Sequence, residues 1–508
     1  MSGRAGVASV RLGTPEERRA STVPHPVGGP VSLLARPLRA AVCVVLASSA
    51  CVTAVTAANA GEPGCADTGR TLRYVVAFDR GTAEDTARAE LARSCGDTIV
   101  YYPRIAVAVA TSADPRFADR AGTGRVFSAQ AERLANQRAG GLVTRPQPAR
   151  ETLPPTDPAR VPTADRTGEQ WDMRAINAPS AHEVSRGGRD VVVGVLDSGV
   201  DPDHPDLAAA VDAEDSAGCL TGAPDTSRAA WTPTTSAHGT HVAGIIAAAD
   251  DGRGVTGVAP GARIASVKVI DDRGHADPEA AVCGLMWAAD RHLRVTNSSF
   301  FVNPWSLSCV RGNDHGVVHE VLARAVEYAT SAGTLNVAAA TNEAVGLTPS
   351  PRSGTRADGG CEALPAGLRD VVSVSAVGAN RVKAGYSSYG LGVIDVTAPG
   401  GEAGRCVVST VPGGYAPLCG TSMAAPHAAG VLALLASARP GDGPRQLRQA
   451  LESTALPMPC PADYDLTGDG LQDAYCAGYE GYNGFYGHGM VDALAAVAPR
   501  PSRPDPGR

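Results

Sequence analysis

Between residues 72 and 111 the chain switches twice between the spacings that mark regular structure. Leu72-Arg73-Tyr74-Val75-Val76-Ala77-Phe78 is β-branched and aromatic and predicts a strand. Thr82 to Arg93 carries an acidic first turn and helical spacing, and Ile105 to Ala110 predicts a second strand. A further amphipathic stretch runs to about Gln137, completing a small α+β unit. From Gly140 to Arg166 proline, threonine and arginine dominate without hydrophobic period, which predicts an exposed, easily cut linker. After it come near-continuous apolar runs at Val191–Leu196, Ile264–Ile270, Leu335–Ala340 and Val371–Val377, the pattern of strands buried on both faces. Helices are expected between them, at Pro278–Arg291, Val317–Ala332 and Ala424–Ala438. Strand and helix alternating over this length, with no internal repeat, predict an α/β domain whose mostly parallel sheet is covered on both sides.

Composition narrows the class. Of the 508 residues 44% are hydrophobic and 19% charged, so the bulk of the chain buries a core. The length allows roughly two to four structural units. A formal charge of −7 argues against a general nucleic-acid binder. Twelve cysteines, none in a CxxC pair, point to an oxidising compartment rather than a zinc ribbon.

The first sixty residues fit that compartment. Ala40 to Ala58 is almost wholly small or apolar, follows Arg36 and Arg39, and ends in Ala58-Asn59-Ala60 before the polar Gly61-Glu62-Pro63. Basic, apolar and small-x-small segments in that order read as a secretory signal cleaved after Ala60. The run approaches the ~20 residues of a membrane span, but its alanine and serine content suits a removable signal better than a stable anchor. The stretch ahead of it fits initiation near Val31. Cleavage removes Cys43 and Cys51 from the twelve cysteines and leaves ten, an even number.

Three segments carry chemistry. Leu196-Asp197-Ser198-Gly199 follows a buried strand and continues to His204-Pro205-Asp206-Leu207. His238-Gly239-Thr240-His241-Val242-Ala243-Gly244 opens a helix. Gly420-Thr421-Ser422-Met423-Ala424-Ala425-Pro426-His427 opens another, with its proline near the first turn, where it does least harm. These motifs, in the order Asp, His, Ser, resemble those of the subtilases, the subtilisin-like serine peptidases, and the resemblance runs from about Glu169 to Ala498. It implies a three-layer subtilisin-like α/β fold preceded by a small α+β propeptide domain.

A serine hydroxyl is a weak nucleophile until an imidazole takes its proton, and the imidazole needs a carboxylate to fix its tautomer and stabilise its charged form. The resemblance therefore assigns Asp197 as orienting carboxylate, His238 as general base and acid, and Ser422 as nucleophile. Asn336 to Glu343 resembles the family's alanine-rich strand ending in glycine–asparagine and makes Asn342 the side-chain oxyanion donor. Thr341 stands where glycine is usual, and a β-branched residue there is expected to shift the asparagine or narrow the S1 pocket. Val295 to Phe301 resembles the strand that pairs with an extended substrate, Phe301 again replacing a glycine. Ser299, Phe301, Ala340 and Thr341 are thus the expected substrate-binding residues, and the two bulky replacements predict a preference for small or medium P1 side chains. His204, His241 and His427 are expected to pack around the site rather than bind metal.

Catalysis by this chemistry requires no cofactor; structural calcium is the one cation to consider. Asp206 matches a family calcium ligand. Asp465, Thr467, Asp469 and Asp473, with glycine at position 6 of the run, follow calcium-loop spacing, but Cys476 takes the place of the glutamate at position 12; the competing reading is a solvated acidic turn. Cys460 with Cys476 brackets this loop, Cys406 with Cys419 flanks a hairpin-like segment before Ser422, and Cys65 with Cys95 lies in the α+β unit. Cys219, Cys283, Cys309 and Cys361 leave three connectivities, with Cys309–Cys361 favoured.

The expected organisation is an N-terminal extension and signal (1–60), a propeptide (61–139), a linker holding the activation cleavage (140–168), a catalytic domain (169–500) and a disordered tail (501–508). The expected protein is a secreted serine endopeptidase made as a self-processing zymogen. It would act on polypeptides as a monomer, with its own propeptide as intramolecular inhibitor and no nucleic-acid partner. The alternatives are a processing peptidase that cuts one peptide precursor and an inactive subtilase fold used as a binding module.

Overall fold

The computed structural model describes residues 64–138, 152–305, 307, 313–348, 361–402 and 404–498. The expected signal, the first part of the expected linker, the tail and Cys309 lie outside the described residues.

The first unit runs β1 (Leu72–Ala77), α1 (Glu84–Arg93), β2 (Asp97–Tyr102), β3 (Val107–Ser112), α2 (Phe117–Ala121), β4 (Val126–Phe127) and α3 (Ala129–Arg138). Its strands form an antiparallel sheet in the order β2-β3-β1-β4. Strand β2 has no counterpart in the sequence reading. Its burial grades from exposed Asp97 to buried Tyr101 and Tyr102 instead of alternating, and its register shifts between Thr98 and Val100, so no period of two marks it. In β1 the period is plain: Tyr74, Val76 and Phe78 pack with Ala87, Leu91 and Phe117 in the unit's own core, while Val75 and Ala77 face the other way.

The main body adds α4 (Trp171–Ala175), α5 (Ala178–His182), β5 (Val192–Asp197), β6 (Ala217–Gly218), α6 (Arg228–Trp231), α7 (His238–Ala247) and β7 (Arg263–Lys268). It continues with α8 (Pro278–Asp290), β8 (Val295–Ser298), α9 (Asn313–Ser331), β9 (Leu335–Ala339), β10 (Val371–Val377) and β11 (Val396–Pro399). A hairpin, β12 (Val407–Val411) and β13 (Gly414–Leu418), then precedes α10 (Thr421–Ala438), α11 (Pro444–Thr454) and α12 (Ala493–Val497). Seven parallel strands make the central sheet in the order β11-β10-β9-β8-β5-β7-β6.

Alternation along β5 explains the layers. Val193 and Val195 pack with Val242, Ile245 and Ile246 of α7 and with Ala428 and Leu432 of α10. Val192 and Leu196 face Val282, Leu285 and Met286 of α8 and Val318, Val321 and Leu322 of α9. Both faces are dry, which is why the strand reads as one apolar run. Helix α10, long and apolar enough to cross a membrane, is mostly buried in this core.

Helices α8 and α9 are covered a second time. Val75, Ala77, Val107, Val109 and Phe127 of the N-terminal sheet belong to the same apolar cluster as these helices. Polar ties rim the contact. Arg133 holds Asp277 through two hydrogen bonds of 2.6 and 2.8 Å, Tyr102 donates to Gly222 O at 2.7 Å, and Arg324 donates to Phe78 O at 2.7 Å and Ile105 O at 3.1 Å.

Disulfides join Cys65 to Cys95, Cys219 to Cys283, Cys406 to Cys419 and Cys460 to Cys476 among the described residues. The second half of the expected linker is mostly exposed but is hydrogen-bonded to the main body. Leu153 N–H donates to Thr234 O at 2.7 Å, Gly254 N–H to Ala164 O at 3.1 Å and Arg166 N–H to Gly254 O at 2.7 Å, while Val161 is buried. Thr156 also bonds Asp201, and its hydroxyl accepts from Gly413 N–H at 2.7 Å. Backbone hydrogen bonding of this kind leaves no outward trace in side-chain composition, so a proline-rich stretch that docks reads like one that does not.

Candidate active site

Asp197 is the last residue of β5, His238 the first of α7 and Ser422 the second of α10, so the site is assembled from three element ends. Asp197 is completely buried and accepts from Ser198 N–H at 2.7 Å. Its two carboxylate oxygens lie 2.8 and 3.0 Å from His238 Nδ1. A carboxylate can only accept, so Nδ1 carries the hydrogen and Nε2 keeps its lone pair. Burial favours the neutral ring, but the charge of Asp197 and its hydrogen bond outweigh burial and hold the His238 pKa above the ordinary 6.5. Gly239 makes the approach possible: a Cβ there would lie 2.4 Å from Gly199 O and 3.1 Å from Asp197 Cβ. Ser198 Oγ, which the motif reading passed over, accepts from Gly239 N–H at 3.1 Å and ties the two motifs together.

Ser422 Oγ donates to Ser299 O at 3.2 Å, and Ser299 Oγ returns a bond to Ser422 O at 2.9 Å. Among the described residues Ser422 Oγ has no hydrogen bond to His238, an arrangement common before substrate binds. Its backbone N–H lies in the first turn of α10, where no intrahelical acceptor exists. Asn342 is exposed, and its Oδ1 accepts from Thr421 N–H at 2.9 Å and Thr421 Oγ1 at 2.8 Å. Oδ1 is engaged on two donors, and Nδ2 lies beside Gly420, where an added Cβ would stand 3.3 Å from it. The hold of Thr421 on Asn342 has no sequence signal beyond its place before Ser422.

The expected substrate-binding residues are distributed differently. Ser299 is buried against Ser422, and Ala340 is buried with its N–H on Val374 O at 3.0 Å. Phe301 is half-buried and, unlike Phe300, belongs to none of the apolar clusters. Thr341 is buried with φ of +77°, and its hydroxyl lies 2.9 Å from Ser388 Oγ. Left-handed backbone is strained for a β-branched residue, which accounts for glycine being usual there.

The three further histidines are buried. His204 Nε2 donates to Gly414 O at 3.0 Å, while its Nδ1 accepts from Asp206 N–H at 3.2 Å, and burial lowers its pKa. His241 Nε2 faces Ala416 O at 3.0 Å and Val407 O at 3.2 Å; burial, then the charge of His238, push its pKa down to about 3. His427 Nδ1 donates to Met423 O at 2.7 Å and Nε2 lies 3.1 Å from Asp172 Oδ2.

The calcium candidates are hydrogen-bonded to protein donors. Asp206 takes Tyr415 OH at 3.0 Å on both oxygens and Val255 N–H at 3.1 Å, and burial raises its pKa. Asp465 accepts from the N–H groups of Gly468, Asp469 and Gly470 and from Thr467 Oγ1, while Asp473 accepts from Leu466 N–H. The loop residues come together as a turn closed on its own amides. Among the described residues no group of three or more histidine, cysteine, aspartate or glutamate side chains is placed to hold a metal ion.

Comparison with known proteins places this geometry in context. The family model described as the subtilase family matches residues 188–489. The chain is 35% identical over 308 residues to Subtilisin Savinase of Lederbergia lenta, covering 60% of this chain and 97% of that one. It is 35% identical to M-protease of Shouchella clausii, over 69% of that protein. Among solved structures it is similar to a lanthipeptide protease, with a TM-score of 0.52, 26% identity, and coverage of 65% of this chain and 94% of that one. The fold is also shared with the epidermin leader peptide processing serine protease of Staphylococcus aureus, at a TM-score of 0.58 and 19% identity, over 84% and 98% of the two chains.

Proposed function

This chain belongs to the subtilase family and is a subtilisin-like serine endopeptidase, and on that premise we propose that Asp197, His238 and Ser422 are its triad, with Asn342 and the Ser422 N–H as oxyanion donors. The observation that carries the assignment is the hydrogen bonding of His238 Nδ1 to both oxygens of a fully buried Asp197, with the serine of the third motif at a helix start. In this reading Ser422 Oγ leaves the Ser299 carbonyl and donates to His238 Nε2. The imidazole then accepts the hydroxyl proton as Oγ bonds to the scissile carbonyl carbon, and the negative charge passes to the carbonyl oxygen. Asn342 Nδ2 and the Ser422 N–H meet that charge. Collapse breaks the C–N bond, His238 delivers its proton to the leaving amine, and water repeats the sequence on the acyl-enzyme. No step uses a metal.

The N-terminal unit, residues 64–138, is the propeptide in this reading, and residues 1–60 export the chain. Support comes from a covered apolar face on α8 and α9 and from the hydrogen bonds of Arg133 to Asp277. A second reading, a peptidase that trims one peptide precursor, has support from the similarity to a lanthipeptide protease. A fluorophosphonate that labels the wild type at Ser422 and leaves Ser422→Ala unlabelled tests the triad; labelling elsewhere removes it. Digestion of casein separates the broad endopeptidase from the precursor-specific one.

A further inference from the structure

The residue before the proposed oxyanion donor is held in a conformation it would not adopt unaided. Thr341 has φ of +77°, and such backbone persists in a β-branched residue only where neighbours over-determine it. Those neighbours can be named. Ser388 N–H donates to Thr341 O at 3.1 Å, and Ser388 Oγ lies 2.9 Å from Thr341 Oγ1. Ser388 is completely buried and Thr341 nearly so, which shields both contacts from water. Ser388 Oγ also accepts from Val345 N–H at 3.4 Å, so one hydroxyl bridges the two ends of the exposed turn 342–344.

The turn is fastened on both sides. Ala344 N–H donates to Tyr386 O at 2.8 Å and Tyr389 N–H to Val345 O at 3.0 Å. The segment bearing Ser388 is itself braced by Lys383, whose buried ammonium donates to Ser387 O at 2.7 Å and Ala384 O at 2.9 Å. Opposite, Thr421 fixes Asn342 Oδ1. Asn342 is therefore aimed by Thr421 through its side chain and by Ser388 through the backbone of Thr341.

We propose that Ser388 is a positioning residue of the oxyanion hole, holding the Thr341 peptide in its left-handed form so that Asn342 Nδ2 points at the developing charge. The proposal rests on the reading of Asn342 as oxyanion donor. A glycine at 341 would hold this backbone without help. With threonine there, the serine supplies the constraint. Loss of the Ser388 hydroxyl lets Thr341 relax towards negative φ and swings the following residue away. The charge met by Asn342 exists only in the transition state, so the effect falls on kcat and not on KM.

The test is kinetic, with kcat referred to active sites titrated by fluorophosphonate. Ser388→Ala should lower kcat by about 10- to 100-fold, the scale of a misplacement near 1 Å, with KM unchanged. Thr341→Val, which removes the other hydroxyl of the pair, should do the same and serves if Ser388→Ala does not fold. Added to Thr341→Gly, Ser388→Ala should cause no further loss, because glycine tolerates the conformation unclamped. Added to Asn342→Ala it should likewise cause none. A kcat unchanged in both Ser388→Ala and Thr341→Val, or a loss of equal size in all three backgrounds, overturns the role of Ser388 while leaving Asn342 in place. An Asn342→Ala enzyme with undiminished kcat overturns the oxyanion reading itself.

Discussion

Asp172 and His427 are both completely buried and meet at 3.1 Å, joining α4, near the start of the main body, to the helix that carries Ser422. The other nitrogen of His427 holds Met423 O, the carbonyl one residue beyond Ser422. The first turn of α10 is thus tied to a short helix some 250 residues earlier in the sequence, at a separation of 255.

Breaking such a pair by deleting one partner leaves the other polar group buried without compensation, at about 3–5 kcal/mol. Asp172→Ala should destabilise the protein on that scale, and Asp172→Asn, which keeps a hydrogen-bond acceptor, by distinctly less. Thermal unfolding of both variants in the Ser422→Ala chain, where self-digestion is absent, measures the difference. Equal midpoints for the two would show that the pair contributes packing alone.

The pH dependence of activity follows from His238. The ring must be neutral to take the Ser422 proton, and Asp197 raises its pKa above 6.5 against the effect of burial. kcat/KM should therefore fall as pH drops through a value above 6.5, with full activity on the alkaline side. Asp197→Asn removes the charge, should move that limb downward, and should lower kcat by about 10⁴ by losing the required tautomer. A limb that stays in place in Asp197→Asn would assign the titration to another group.

The main sheet and the three motifs were legible because their signals are local: a dry strand reads as an apolar run, and Asp197, His238 and Ser422 each sit in a contiguous motif at an element end. The Thr341–Ser388 contact was not, since it depends on a backbone sign that no side-chain pattern records and joins residues 47 apart. The sequence leaves Thr341 to shift the asparagine or narrow the S1 pocket, and does not reveal that its hydroxyl faces Ser388. The docking of the N-terminal sheet was half legible. Ile105 to Ala110 is apolar at every position, with Ala106, Ala108 and Ala110 in the unit's own core and Ile105, Val107 and Val109 against the main body. A free-standing unit would have made the second set polar.

That docked face contains a pH-sensitive carboxyl. Burial, with the charge of Asp277 adding, pushes the Glu279 pKa up to about 7, while Arg73 and Arg133 of the N-terminal unit oppose the shift. The folded chain keeps this proton to about pH 7, whereas an unfolded glutamate releases it near 4.5. The resulting stability is fully present below 4.5 and is lost as pH rises through 7. The uncleaved Ser422→Ala chain should lose thermal stability between pH 5 and 8 more steeply than the same chain carrying Glu279→Gln. Because Asp206 and Asp395 shift in the same direction, the difference between the two slopes, not either slope alone, reports on Glu279. Parallel slopes would refute the assignment.

Self-processing gives the last prediction, and the docked stretch locates it. A subtilase groove reads extended backbone, so a substrate segment must give up its own hydrogen bonds before it can enter. Residues 153, 164 and 166 have their backbone groups committed to Thr234 and Gly254, and Val161 is buried, so cutting there would first require undocking. The first cleavage should therefore fall between Gly140 and Thr152, ahead of the docked stretch, and the residues from 152 onward should stay with the catalytic chain. Ser422→Ala lacks the nucleophile but keeps the fold, so its product should retain the 64–138 unit in one covalent chain. Intact mass of wild type and Ser422→Ala, produced side by side, decides the matter. The same N-terminus on both would mean that another protease makes the cut. A wild-type chain beginning near Trp171 would mean that the docked stretch is released and cleaved after all, and a wild type uncut anywhere between 139 and 170 would remove the propeptide assignment.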